Sequence, residues 1–185
     1  LRTLFPYTTL FRSYVKDEKN LGIYPVYSGQ TENDGVMGLI NSYEYSFSAP
    51  VIFVTTVGAK AMTTQLLNGA FSLSQNCALL KNKASVDTSY VNYFLIVLFK
   101  EERKNIPAHM QPSLRIEDLK KHILIAPPID EQKAIADYLD TKTAQIDLII
   151  ETINTQIEKL NELRKTLIND VVTGKIKVYK EGETI

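Results

Sequence analysis

"PPIDEQKAIADYLDTKTAQIDLIIETINTQIEKLNELRKTLINDVVTGKIKV", residues 127–178, is the stretch that decides how this chain is built. Two prolines open it, and no Gly or Pro follows until Gly174. Asp130 is the expected N-cap and Glu131 places a negative charge in the first turn, which opposes the positive end of the helix dipole. The spacing predicts one long helix from Asp130 to about Thr173, or two with a bend near Thr141 to Thr143. Leu139, Ile146, Ile153, Leu160 and Leu167 recur at seven-residue intervals, flanked by Ile149, Ile150, Ile157 and Leu163. This is a coiled-coil stripe, interrupted by the polar Gln156. At 1.5 Å per residue the helix spans about 65 Å, too long to be covered by its own small domain, so it calls for a partner helix.

The chain before the prolines obeys a different pattern. "IYPVYSG" (23–29), "EYSFSAPVIFVTTVG" (44–58) and "CALLKNK" (77–83) read as strands, with "TENDGVMG" (31–38) and "LLNGA" (66–70) as turns. Two short helices interrupt them. One runs from Thr88 to about Arg103, with Tyr90, Phe94, Val97 and Leu98 on one face, and the other from Ser113 to Lys121. The fold class expected is α+β: a mostly β domain over 14–128 with short helices, a long coiled-coil-forming helix over 129–178, and a tail over 179–185.

Composition narrows the class further. The 185 residues are 44% hydrophobic and 23% charged, enough for an ordinary core in one or two domains. The longest apolar run, Tyr93 to Phe99, is far short of a membrane span of about 20 residues. Cys77 is the single cysteine, which leaves no disulfide framework and suits a reducing cytoplasm. The net charge is zero but unevenly spread. Residues 14–59 carry two lysines against five acids, residues 60–121 nine Lys or Arg against five, and residues 129–185 eight against eleven. A locally basic middle is compatible with phosphate contacts.

Searches for catalytic chemistry return little. His109, His122 and Cys77 show no metal-ligand spacing. "VGAKAMTT" (57–64) lacks the paired glycines and Gly-Lys-Ser/Thr ending of a phosphate loop. "APPI" (126–129) has neither the Asn or Asp nor the stacking aromatic of an amino-methyltransferase site. Glu131-Gln132-Lys133 matches the Glu-x-Lys of metal-dependent nucleases, yet it opens a helix and has no partner acid upstream. No catalytic residue, metal site or cofactor is expected.

The helix stretch resembles the second conserved region of the specificity subunit of type I restriction-modification systems. The matching positions are Pro127, Pro128, Glu131, Gln132, Ile135, Ala136, Val172, Gly174, Lys175 and Ile176. Upstream, "YPVYSGQTENDGVMGLINSYEY", "VIFVTTVGAKAMTTQLLNGAFSLSQNCALL" and "HMQPSLRIEDLKKHILIAPP" are similar to that family's target recognition domain, so the resemblance covers about residues 22–178. It departs at Ala70, an extra residue between Gly69 and Phe71, and in having one recognition domain where the usual chain has two. The resemblance implies recognition of one half of a split duplex DNA target without catalysis. It also implies long helices packed antiparallel as a spacer, with docked methyltransferase subunits and, indirectly, a restriction or translocase subunit. The second recognition half would come from the same chain or from dimerisation. No membrane partner is expected. The alternative is a stand-alone coiled-coil interaction protein without DNA affinity.

Candidate DNA-contacting residues are the polar loop residues Gln30, Thr31, Lys60, Thr63, Thr64, Gln65, Gln75 and Asn76. Gln and Asn can pair with the major-groove edge of adenine, and Lys with guanine or phosphate. Asn33 and Asn68, next to Asp or Gly, read as turn-formers. The candidate helix interface is Leu139, Ile146, Ile149, Ile153, Ile157, Leu160, Leu163 and Leu167. Finally, one choice of codons for "TLFPYTTLFRS" (3–13) spells the end of a common sequencing-library adapter. Residues 1–13 are therefore read as non-native and expected to add nothing to folding. On that reading the native chain starts before Tyr14 and has lost the first strand of this domain and an entire first half.

Overall fold

The strand Tyr45–Thr55 (β4) explains why the first part of the chain folds as a sheet. Within Val51-Ile52-Phe53-Val54 successive side chains point to opposite faces, and both faces are buried. A strand apolar on both sides belongs at the centre of a layered domain. The computed structural model describes residues 2–4, 11–29, 32–82, 86–107, 109–119 and 121–178. Its sheet has six strands in the order β1-β6-β4-β5-β2-β3. These are β1 (Arg2–Leu4), β2 (Leu21–Tyr27), β3 (Val36–Ile40), β4, β5 (Thr64–Leu73) and β6 (Cys77–Lys81). All neighbours pair antiparallel except β2 with β5, which run parallel.

The register requires the sheet to curl. Tyr45 lies opposite Phe71 while Thr55 lies opposite Cys77. A straight β4 would separate Tyr45 from Thr55 by about 33 Å, whereas the six residues from Phe71 to Cys77 reach at most about 21 Å. Bending is supplied at a break in the ladder between Phe47 and Val51, where the partner strand passes only from Gly69 to Leu67. Pro50, with no N–H to give, sits in the unpaired stretch, and Gly69 opposite adopts φ +76°. The expectation that 66–70 is a turn is corrected here: the segment is a bulged interior of β5. Likewise Val36–Ile40 is strand β3, so only Glu32–Gly35 of the expected 31–38 turn is a turn, with Asn33 and Asp34 at positive φ.

Curling gives the sheet two distinct cores. On the inner face Val51, Phe53, Leu67, Phe71, Leu73, Cys77 and Leu79 pack together, joined by Tyr27, Tyr45 and Phe47. On the outer face Ile52, Val54, Ala78 and Leu80 meet Val91, Leu95 and Phe99 of helix α2 (Thr88–Lys104). Asp87 caps α2, its Oδ1 accepting from the Tyr90 N–H at 2.9 Å. The expected helix over 113–121 shrinks to one turn, α3 (Ile116–Leu119).

Two features of the first residues bear on the reading of 1–13. Arg2–Leu4 pairs along the β6 edge, and Phe11, in the short helix α1 (Phe11–Tyr14), is buried against Val26 and Ile40. The expectation that this stretch adds nothing to folding is therefore at odds with the packing. An open strand edge and an uncovered Val26–Ile40 surface both favour any apolar segment that reaches them, whatever its origin.

The long helix α4 is continuous over Ile129–Val172, so it is one helix and not two divided at 141–143. Thr141 and Thr143 instead fold their hydroxyls onto the carbonyls of Asp137 and Leu139, each at 2.8 Å. Asp130 is not the N-cap but lies with Glu131 inside the first turn, since the Gln132 N–H already donates to the Pro128 carbonyl at 3.0 Å. By contacts, one compact unit runs through Ala136 and a second begins at Asp137. In the second, Gly174 at φ +76° ends the helix and the Ile176 N–H closes on the Asp170 carbonyl at 2.9 Å. The tail over 179–185 lies outside the described residues. No described helix is long and apolar enough to cross a membrane.

Candidate nucleic-acid interface

Three loops and one irregular segment meet at one end of the curled sheet. The β4–β5 loop (56–63) is joined to the β5–β6 turn by the Thr56 N–H, which donates to the Asn76 carbonyl at 2.8 Å. It is joined to residues 111–114 by Gly58 N–H to Pro112 at 3.1 Å, Leu114 N–H to Thr56 at 2.7 Å, and a bridge between Val57 and Ser113. The β2–β3 connection is tied in by the Ser74 N–H, which donates to the Tyr27 carbonyl at 2.8 Å, and by Gln65 Nε2, which donates to the Asp34 carbonyl at 3.1 Å. Segments far apart in sequence thus form one polar end.

Within that end the candidate residues divide by what their side chains already do. Lys60, Gln75 and Asn76 are exposed, and their side chains have no hydrogen-bond or ion-pair partner among the described residues. Thr63 spends its hydroxyl on the Lys60 carbonyl at 2.8 Å, and Gln65 braces Asp34. The Thr64 hydroxyl is buried in β5 and has no hydrogen-bond partner there. Asn76 has φ +65°, so it also makes the turn it stands in. Gln30 and Thr31 lie outside the described residues.

The charges follow the same division. Lys104 pairs with Glu101 at 2.7 Å and Lys121 with Asp118 at 2.6 Å. The hydrogen bond from Lys121, then its charge, hold the Asp118 carboxyl below its usual range. Lys60 and Arg115 stay exposed and outside any ion pair among the described residues, Arg115 being next to Leu114 where that segment joins the loop. Burial, followed by the nearby Asp34 charge, pushes the Tyr27 hydroxyl above its ordinary value where the ring packs against the inner core. No described group of His, Cys, Asp and Glu is arranged to hold a metal ion.

Two residues have structural roles that the sequence did not disclose, Arg103 carrying no signal at all and Gln132 standing only as a motif position. Arg103, on the last turn of α2, reaches the β4–β5 loop, and its position reads in sequence as ordinary compensation of the helix dipole. Gln132 is 2% exposed: its Oε1 accepts from the Asp87 N–H at 2.9 Å and its Nε2 donates to the Pro127 carbonyl at 2.6 Å. The second half of the Glu-Gln pair is therefore the clasp that fixes the first turn of α4 to the N-terminus of α2.

On α4 the stripe is open. Ile146, Ile149, Ile153, Ile157, Leu160, Leu163 and Leu167 are each between 47% and 64% exposed, and Leu139 is half-buried. Gln156 is exposed beside them.

The family model for the type I restriction modification DNA specificity domain matches residues 4–159. The chain belongs to that family. Among its relatives, a type I specificity subunit of Mycoplasma pneumoniae is 32% identical over 168 residues, covering 88% of this chain and 54% of its own length. The MpnII type I restriction enzyme specificity subunit of the same organism is 30% identical over 148 residues, covering 80% and 43%. The chain thus spans about half the length of these relatives. The fold is shared with the S subunit of a type I restriction-modification system from M. genitalium, at TM-score 0.59 and 20% identity over 91% of this chain and 42% of that one. It is shared too with the HsdS subunit of Thermoanaerobacter tengcongensis, at TM-score 0.60 and 16% identity over 91% and 41%. The chain carries a sheet with short helices followed by a long helix, the α+β arrangement read from its sequence.

Proposed function

We propose that this chain is the non-catalytic DNA-recognition part of a type I restriction-modification complex, reading one half of a bipartite duplex target in the cytoplasm. Residues 14–128 do the reading, α4 with residues up to 178 serves as spacer and docks methyltransferase subunits, and residues 1–13 are of non-native origin. The other half-target is read by a second recognition domain, brought by the same natural chain or by a second copy, and the restriction subunit joins through the methyltransferase. The observation that carries this reading is the polar loop end of a family specificity domain. There the side chains of Lys60, Gln75 and Asn76 are exposed with no protein partner among the described residues, as side chains kept for base edges and phosphates would be. A stand-alone coiled-coil protein would account for the open stripe on α4 but not for that loop end.

The test is binding of the pure chain to a labelled duplex across a salt series. A lone recognition domain makes half the contacts, so the affinity expected is in the range of about 10⁻⁴ to 10⁻⁶ M and falls steeply with salt. The duplex should remain uncut with or without Mg²⁺. Metal-dependent cleavage by the chain, or salt-independent failure to bind, would sink the reading.

A further inference from the structure

Three successive carbonyls of the β4–β5 loop are captured by side chains. Arg103 donates from one guanidinium nitrogen to the Ala59 carbonyl at 2.8 Å and from the other to the Ala61 carbonyl at 3.1 Å. Between them the Lys60 carbonyl accepts from the Thr55 hydroxyl at 2.5 Å and the Thr63 hydroxyl at 2.8 Å. The loop is closed at each side by residues at positive φ, Gly58 at +112° and Met62 at +66°, with the Met62 N–H donating to the Thr55 carbonyl at 2.8 Å. This is far more fastening than a surface loop needs, and it is organised around one residue. The Lys60 side chain is exposed and outside any ion pair among the described residues, while the Ala59 and Lys60 amides find no backbone acceptor there.

The geometry points to Lys60 as a phosphate contact of the DNA interface and to Arg103 as the positioning residue that presents it. With the carbonyl oxygens drawn toward Arg103 and the two threonines, the repulsive ends of those peptides are turned from an approaching anion. The ammonium and the two free amides remain to meet it. A planar guanidinium spans the two outer carbonyls at once, a task for which a lysine ammonium, a point donor, is not equivalent. Because phosphate contacts set register without reading sequence, Lys60 would contribute affinity and salt dependence rather than base preference. This inference rests on the DNA-recognition reading and assigns one residue of it a role.

Fluorescence anisotropy of the full chain with a 30-base-pair duplex, from 50 to 200 mM KCl, tests the assignment. The parent's log K against log[KCl] gives a slope, and Lys60→Met should make it shallower by about 0.9, one phosphate. Arg103→Met should reduce the slope by a similar amount although its guanidinium is spent on carbonyls, and the double variant should do no more than either single one. Arg103→Lys should not restore the parental slope. Thr63→Val, which removes one of the two hydroxyls on Lys60, should shift the slope in the same direction and answers the question if Arg103→Met fails to fold. A parental slope for Lys60→Met overturns the contact. A parental slope for folded Arg103→Met or for Thr63→Val, or additive losses in the double variant, overturns the positioning role. A parent that binds at no salt concentration overturns instead the DNA reading beneath it.

Discussion

Replacing Ile153 and Leu160 of α4 with aspartate tests the assembly role of the helix most severely. Seven stripe residues are left roughly half exposed, between 47% and 64%. Burying a Leu or Ile side chain completely is worth about 1.5–3 kcal/mol, so covering the remaining half gives about 1 kcal/mol each and about 14 kcal/mol over two paired helices. Against this stands an association cost of at least about 4 kcal/mol and at most about 15. The balance runs from about 10 kcal/mol in favour of pairing to about 1 against it, and a micromolar dissociation constant needs about 8 of it. Each aspartate removes its share of burial and adds a desolvated charge, a loss of several kcal/mol per site. Because every 1.4 kcal/mol is tenfold, the double variant should weaken self-association by more than about a thousandfold. Sedimentation equilibrium from 1 to 100 μM reads the dissociation constant, and circular dichroism confirms that helix content is retained within a folded chain. A parent that stays monomeric at 100 μM, together with a variant that captures the methyltransferase subunit as well as the parent does, would refute the reasoning.

Three further outcomes follow from the packing. Burial pushes the Cys77 thiol up to about 12, so native protein should resist a thiol reagent at pH 8 and react once unfolded. Since the unfolded thiol ionises first, near pH 9, its contribution to stability should be constant below that pH and fall above it by up to about 1.4 kcal/mol per pH unit until about 12, a loss that Cys77→Val should abolish. Gln132→Ala strands the Asp87 N–H and the Pro127 carbonyl, and the urea midpoint should fall by the equivalent of about 1–3 kcal/mol. Deleting residues 1–13 removes Phe11 from Val26 and Ile40 and frees the β6 edge, for an expected loss of about 3 kcal/mol. A change under about 0.5 kcal/mol would instead agree with the adapter-derived expectation that the stretch adds nothing.

What could be read in the sequence was whatever repeats along the chain. The 3.6-residue and seven-residue patterns of α2 and α4 mark the ends of both helices to within a residue or two, but the buried face of α2 is Val91, Leu95 and Phe99, with Tyr90, Phe94 and Leu98 packed beside it and Val97 exposed. The strand runs at 23–29 and 44–58 are apparent because β-branched and aromatic residues crowd them. Reading 66–70 as a turn failed because Asn68-Gly69 carries the same residues whether a chain reverses or bulges, and only the partner strand, with Pro50 opposite, decides. Asp130 looked like a cap because cap and first-turn positions both favour acids. The loop end was legible as polar residues but not as a site. Lys60 stands out only once Arg103, 43 positions later, is seen to hold its neighbours' carbonyls. Long-range hydrogen bonds of that kind leave no period in the sequence.

Selection from a pool of random duplexes tests the central claim most directly, using the chain assembled with its methyltransferase and sequencing of the retained DNA. Recognition of a half-target predicts enrichment of one short fixed sequence, appearing once, or twice at a fixed separation if a second copy supplies the other half. Retention of DNA with no enriched sequence, at a salt concentration where non-specific binding is suppressed, would contradict it.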